Sequence, residues 1–197
     1  MVKKKIILFR KIIEVISKII AYPISFILSI LGIFLSSFGR YSELSKAISF
    51  IPFYVGEFIR YFYYKFTIKS VGENVKFKFG TAILYRKTEI GNDVLLGYHC
   101  QIGEAKIGND VIMGSHINIL SGLNQHSFDD PNKLIRKQQK DGRKLIIIGS
   151  DLWIGSNCII AVNIGDRCVI GVNSLVVSEI KSHSLAVGSP ARIVKSI

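Results

Sequence analysis

The chain has 197 residues, 49% of them hydrophobic, and a formal charge of +12. That length allows one compact domain with an appendage. Its three cysteines, Cys100, Cys158 and Cys168, show no CxxC spacing, which argues against bridges or metal ligands and for buried thiols in a reducing compartment.

Residues 1 to 65 hold ten Lys and Arg against three Glu. Lys3, Lys4, Lys5, Arg10, Lys11 and Lys18 precede an uncharged run from Ile19 to Gly39. As a helix that run reaches about 30 Å, the depth of a bilayer core. It is too long for a signal peptide, and SSFGR offers no small-x-small cleavage site. Basic charge set among Ile, Phe and Tyr fits an anionic lipid surface; no nucleic-acid motif is present. A second apolar stretch, Ala47 to Ile59, is broken by Pro52 and Gly56, while Pro23 and Gly32 weaken the first. Residues 1 to 66 are therefore expected to form a helical hairpin that dips into, or lies on, the inner leaflet. Arg40, Lys46, Arg60 and Lys65 would stay at the headgroups beside Tyr61, Tyr63 and Tyr64. The competing reading is an amphipathic helical cap packed on the domain's own subunits.

From position 90 the chain keeps a six-residue beat: Ile90-Gly91, Leu96-Gly97, Ile102-Gly103, Ile107-Gly108 and Met113-Gly114. It resumes at Ile148-Gly149, Ile154-Gly155, Ile164-Gly165 and Ile170-Gly171. Period two within each short strand puts the first and fifth positions on one face. Asn-Asp, Asn-Cys and Asp-Arg pairs fall where the chain must turn. Three sides closing on themselves give a triangular coil of about eighteen residues, and stacked coils bury the aliphatics. The expected fold is mainly β, a parallel β-helix over residues 67 to 197 with a hydrophobic helical segment before it. The unit IGEAK is one residue short, so His99 and His116 hold the same place in successive coils and are expected to stack. The rung from Ile154 to Ile164 is contracted as well.

Residues 121 to 145, SGLNQHSFDDPNKLIRKQQKDGRKL, interrupt the beat. A polar loop ejected from a scaffold is where chemistry sits. This loop resembles the Gly-x-x-x-His-x-Phe-Asp-Asp-Pro…Ile-Arg-x-Gln loop of sugar O-acetyltransferases from capsule, exopolysaccharide and O-antigen pathways. With the hexads and the ending VGSPARIVK, it makes residues 68 to 197 similar to the hexapeptide-repeat (left-handed parallel β-helix) acyltransferases. The resemblance implies a homotrimer, acetyl-CoA as donor, a sugar acceptor and active sites between subunits. It also makes the contracted rung the mark of a subgroup.

Moving an acetyl group from a thioester to a hydroxyl needs a base, a holder for the oxyanion and an acid for the leaving thiolate. A histidine titrating near neutrality serves as both base and acid. The resemblance assigns this role to His126. Around it, Asn124, Asp129 and Asp130 are candidates to contact the acceptor, and either aspartate to orient the ring; an Asx turn before Pro131 is the competing role. Arg136 and Gln138, which match the Ile-Arg-x-Gln run of that loop, are expected to brace the loop, contact with a sugar being the competing role. By the same resemblance Trp153 borders the pantetheine arm or acceptor, Gly155, Ser156, Gly171 and Val172 line the arm, and Arg192 and Lys195 meet the CoA phosphates. The commoner Gly-Ala-Gly-Ser is here Gly171-Val172-Asn173-Ser174, and a frequent Thr-Lys pair is Val177-Ser178. His183 is expected to be incidental.

No metal is expected. The rival readings are a small-molecule acetyltransferase of serine or antibiotic type, a γ-class carbonic anhydrase using His99, His116 and His126 for zinc, and a tethered scaffold without catalysis. A membrane-seeking amino terminus favours the polysaccharide reading, because acetyl-CoA is cytoplasmic and lipid-linked precursors lie at the cytoplasmic face of the cell membrane.

Overall fold

An aliphatic residue, a glycine and a small residue recurring every six positions make short strands with one inward face. The computed structural model describes residues 2 to 123, 126, 127, 129 to 138 and 142 to 197, with side chains from Ile6 onward. The described strands form sheets of four, five and seven strands, one for each side of a triangular β-helix. All neighbours run parallel except Ser184–Gly188 and Ala191–Ser196, which close the carboxyl-terminal end antiparallel.

The register stacks like on like. Val71, Ile90, Ile107 and Ile148 follow one another in the four-stranded sheet. Ile83, Ile102, Ile119, Ile160 and Val176 do so in the five-stranded sheet. Met113, Ile154, Ile170 and Ala186 do so in the seven-stranded sheet. All are buried, each aliphatic contributing about 1.5–3 kcal/mol by leaving water. Cys100, Cys158 and Cys168 sit two residues before an inner aliphatic, as the pattern predicts, and are free and buried. Burial pushes all three thiols above the ordinary range.

The amino-terminal third departs from the expected hairpin. It forms three helices: α1 (Val2–Ser36), α2 (Tyr41–Ser49) and α3 (Phe53–Thr67). Helix α1 runs unbroken through Pro23 and Gly32. The stretch Ala47 to Ile59 is no second arm. It is the end of α2, a turn and the start of α3, and Ile48, Ser49, Gly56 and Ile59 are buried. The first coil leaves an apolar floor and a bare strand edge that must be covered. The hydroxyl of Tyr64 accepts from the Ile83 N–H at 3.2 Å, and Ser45 Oγ donates to the Ile83 carbonyl at 2.7 Å. The Tyr64 ring lies 4.7 Å from that of Phe77. Arg60, Tyr63 and Tyr64, expected at headgroups, are at most 1% exposed.

Arg60 bolts this lid. Its Nε donates to the Phe77 carbonyl at 2.9 Å, and its Nη1 donates to the carbonyls of Ser49 and Ile51 at 3.1 and 2.8 Å. These groups belong to the first coil, the end of α2 and the turn into α3. A Cβ at Gly56 would lie 1.8 Å from the Ile51 carbonyl oxygen, so only glycine admits this turn.

Helix α1 is built inside out. Ser17, Ala21, Ser25 and Ser29 are buried, and Ser25 Oγ lies 3.1 Å from the Ile59 carbonyl of α3. Ile12, Ile16, Ile19, Phe26, Ile27, Ile30 and Phe34 face outward. Among the described residues, α1 is the one helix long and apolar enough to cross a membrane. Its last turn is tied to the β-helix, where Arg86 Nη1 lies 3.1 Å from Ser36 Oγ.

Candidate active site

The ejected loop leaves the five-stranded sheet after Asn118–Ile119 and rejoins the four-stranded sheet at Ile146–Ile148. Its two feet are joined where the Lys144 N–H donates to the Ser121 carbonyl at 2.9 Å. On the returning limb the Arg143 guanidinium lies over the Tyr85 ring at 4.5 Å and 3.7 Å from Glu104 Oε2. A hollow of about 300 Å³ opens at the feet, lined by Ser121, Leu123, Lys144, Ala161 and Val162. Ala161 and Val162 belong to the contracted rung. There the ladder thins to single bridges, Ile148 to Ile164 and Ile164 to Ile180.

Within the loop, Gln138 is the brace. Its Oε1 accepts from the Asp130 N–H at 3.1 Å, and its Nε2 donates to the carbonyls of Asp130 and Lys133, both at 2.9 Å. Arg136 sits exposed in the single turn Ile135–Lys137, its side chain without an ion pair or hydrogen bond among the described residues, so it is not the brace that the sequence led us to expect. The difference is geometric. A short planar amide folded inward, with both a donor and an acceptor, satisfies backbone groups of Asp130 and Lys133, while a long cation costs more to bury. Asp130 makes the Asx turn, its Oδ1 accepting from the Asn132 N–H at 3.0 Å, and Lys133 lies 3.3 Å from its Oδ2. Asp129 accepts from Ser127 Oγ at 2.9 Å. Neither aspartate is bonded to His126, which is exposed and has no hydrogen bond or ion pair among the described residues. Asn124 lies outside the described residues.

The remaining candidates occupy a different side. Trp153, in the strand Leu152–Ile154, points out of the seven-stranded sheet and is 54% exposed. In register with it stand Ile112, Val169 and Leu185, an outward apolar column. Lys195 pairs with Leu185 and Arg192 with Val187, so both cations cross the top of that column. Gly155, Ser156, Gly171 and Val172 form the corner beside it. A Cβ on Gly155 would meet the Val172 backbone at 2.7 Å, and one on Gly171 the Val187 side chain at 2.6 Å. Coil-on-coil approach therefore suffices to explain both glycines. Ser156 Oγ is occupied by the Ser115 N–H at 3.1 Å, and Val172 is exposed.

Thus one chain holds His126 on a loop at the corner between two sheets, and Trp153, Arg192 and Lys195 on the third. No hydrogen bond or ion pair among the described residues joins the two sets. Sequence reasoning missed Arg143 and Tyr85, which pin the loop. They lie in separate segments with no motif to link them.

Among the described residues no three His, Cys, Asp or Glu side chains gather as metal ligands. His99 and His116 stack on each other. His183 takes a turn position with φ 60°, a structural use for a residue expected to be incidental.

No family model matches the chain. Among curated proteins, 54 residues are 43% identical to the galactoside O-acetyltransferase of Escherichia coli, covering 26% of this chain and 27% of that protein. The chain thus spans well under two thirds of that relative. Among solved structures, a hexapeptide-repeat acetyltransferase from Vibrio cholerae superposes with TM-score 0.68 at 23% identity, over 82% of this chain and 91% of that one. A galactoside acetyltransferase in complex with coenzyme A gives TM-score 0.68 at 24% identity, over 79% and 78%. What is shared is the fold, the left-handed parallel β-helix that the resemblance implies.

Proposed function

We propose that this protein is an acetyl-CoA-dependent O-acetyltransferase acting on a sugar hydroxyl of a cell-surface polysaccharide or its lipid-linked precursor. The observation that carries this reading is the ejected loop. It bears one imidazole on a scaffold whose solved relatives include acetyltransferases with coenzyme A bound. His126 takes the hydroxyl proton as the sugar oxygen attacks the thioester carbonyl, then returns it to the leaving CoA thiolate. An exposed imidazole with no partner among the described residues has a lone pair to offer for that exchange.

The division of the site between two sides supports a trimer. The apolar column Ile112, Trp153, Val169 and Leu185 is a surface suited to a second copy. A loop from a neighbour seated beside it would bring His126 to Trp153, with Arg192 and Lys195 near the CoA phosphates.

The outward face of α1 supports a place on the cytoplasmic side of the cell membrane. Its bonds to Ile59 and Arg86 hold it along the protein, which favours lying in the leaflet over crossing it. There the site would stand beside a lipid-linked acceptor.

The experiment is a comparison of surface-glycan O-acetylation by mass spectrometry in cells carrying the wild-type gene, the His126→Ala gene or neither. The reading expects acetyl esters with the wild type alone. Equal esterification in all three would defeat it.

A further inference from the structure

A second and larger cavity, about 720 Å³, lies between α1, α3 and the first coil, away from the ejected loop. Four lysines line it from three elements: Lys18 on α1, Lys65 on α3, and Lys76 and Lys78 on the first coil. Glu57 holds Lys78 at 2.8 Å, and Glu73 holds Lys65 at 2.7 Å. Lys18 rests over the Phe58 ring at 5.1 Å. Among the described residues neither it nor Lys76 has a carboxylate within ion-pair distance, although Glu14 lies on the rim. Positive charge is left in excess.

The facing wall is aromatic. Tyr22 packs edge-on against Phe62 and Phe66 at 5.2 and 5.7 Å, and Tyr54 and Tyr61 bring phenols to the mouth. Tyr22, one turn on from Lys18, is 52% exposed, and Phe26, one turn further and 53% exposed, packs edge-on against Phe66 of the same wall at 6.0 Å, so the cavity's aromatic wall runs on into the outward apolar face of α1. Cations and phenols beside an apolar helix face are the arrangement found at headgroup depth.

We propose that this cavity holds the phosphate headgroup of an anionic membrane lipid, one per chain, with Lys18 and Lys76 as its free cations. The inference rests on the membrane reading of α1. A soluble phosphate would need only the lysines. The aromatic wall and its continuity with the apolar face fit a phosphate carried on acyl chains.

The test uses the full chain extracted from membranes in mild detergent. Native mass spectrometry counts the phosphatidylglycerol retained by the wild type, by Lys18→Gln/Lys76→Gln, and by Lys87→Gln/Lys181→Gln as a control of equal charge. Retention should fall about tenfold or more in the first variant and stay unchanged in the control. Equal retention in all three overturns the site, as does displacement of the lipid by millimolar inorganic phosphate. Flotation with phosphatidylglycerol vesicles separates the two ideas. A wild type that floats but retains no lipid sinks the headgroup site alone, while one that does not float sinks the membrane reading beneath it. Matching thermal melts guard against a variant that has lost its fold.

Discussion

The imidazole rings of His99 and His116 lie stacked one coil apart, 5.1 Å between centroids and 13° from parallel. Both residues have left-handed backbones, φ 55° and 58°, at the same corner. Their N–H groups donate to Phe79 and Tyr98 of the preceding coil at 3.0 and 2.7 Å. Phe79 meets the pair edge-on, its ring 5.5 Å from that of His99 and 86° from parallel. The corner position demands an αL residue first and a ring second.

Replacement at this corner should therefore follow backbone preference. His116→Asn should cost little, because asparagine tolerates αL and already holds the corner at Asn157 and Asn173. His116→Val should cost about 1–3 kcal/mol. Chemical denaturation of both variants checks this; equal losses would show that the ring stack, not the backbone, sets the stability.

His126→Ala should lower acetyl transfer by a factor of about 10²–10⁴, the usual worth of a general base. Its melting temperature should not move, since the residue is exposed and makes no bond among the described residues. Release of CoA thiol with a sugar acceptor measures the rate. Near-normal turnover would remove His126 from the mechanism.

Arg60→Met should be among the most damaging single changes. It strands the buried Phe77 carbonyl and the part-buried Ile51 carbonyl, at about 1–3 kcal/mol each, and takes one of two donors from the Ser49 carbonyl, which keeps the Gly80 N–H. Arg60→Lys should rescue little, because an ammonium cannot reproduce the fork that reaches the coil and both helices. Thermal melting should separate both variants clearly from wild type.

Removing residues 1 to 36 should move the protein from membrane to soluble fraction while the lid stays closed. Removing residues 1 to 60 should instead cause aggregation, because Ser45 and Arg60 go with the cut and the first coil is laid bare. Fractionation with light scattering distinguishes the two. A soluble full-length chain would refute the membrane role of α1.

Cys100, Cys158 and Cys168 should resist thiol reagents until the chain unfolds. Each is buried and donates to a carbonyl, of Gly114, Gly171 and Lys181 in turn. Their raised pKa values mean that the folded state keeps protons which the unfolded chain releases. Stability should thus fall as pH rises past about 8.5, the unperturbed thiol value. Rapid labelling of the native protein at pH 8 would contradict this.

The coils were legible because each hexad carries its own instruction. Ile90, Ile107 and Ile148 face inward for a local reason, alternation within a strand, and a period repeated often enough leaves one way to stack. The histidine pair followed from one missing residue in IGEAK. The loop was legible as an interruption, but its bracing was not. Choosing Gln138 over Arg136 depends on which limb each side chain meets.

What the sequence by itself determined is the β-helix, its buried thiols, its stacked histidines and the place where the loop leaves it, all consequences of local period. Only the tertiary structure decided the fate of the amino-terminal third. Apolar composition says that a segment avoids water, not what shields it. Ala47 to Ile59 and α1 are both greasy, yet one closes the open end of the protein through Arg60 and Tyr64 while the other turns its large side chains away. The tertiary structure also set His126 and Trp153 on different sides of the prism. That separation arises because a coil turns through three faces, so residues close in sequence need not share one.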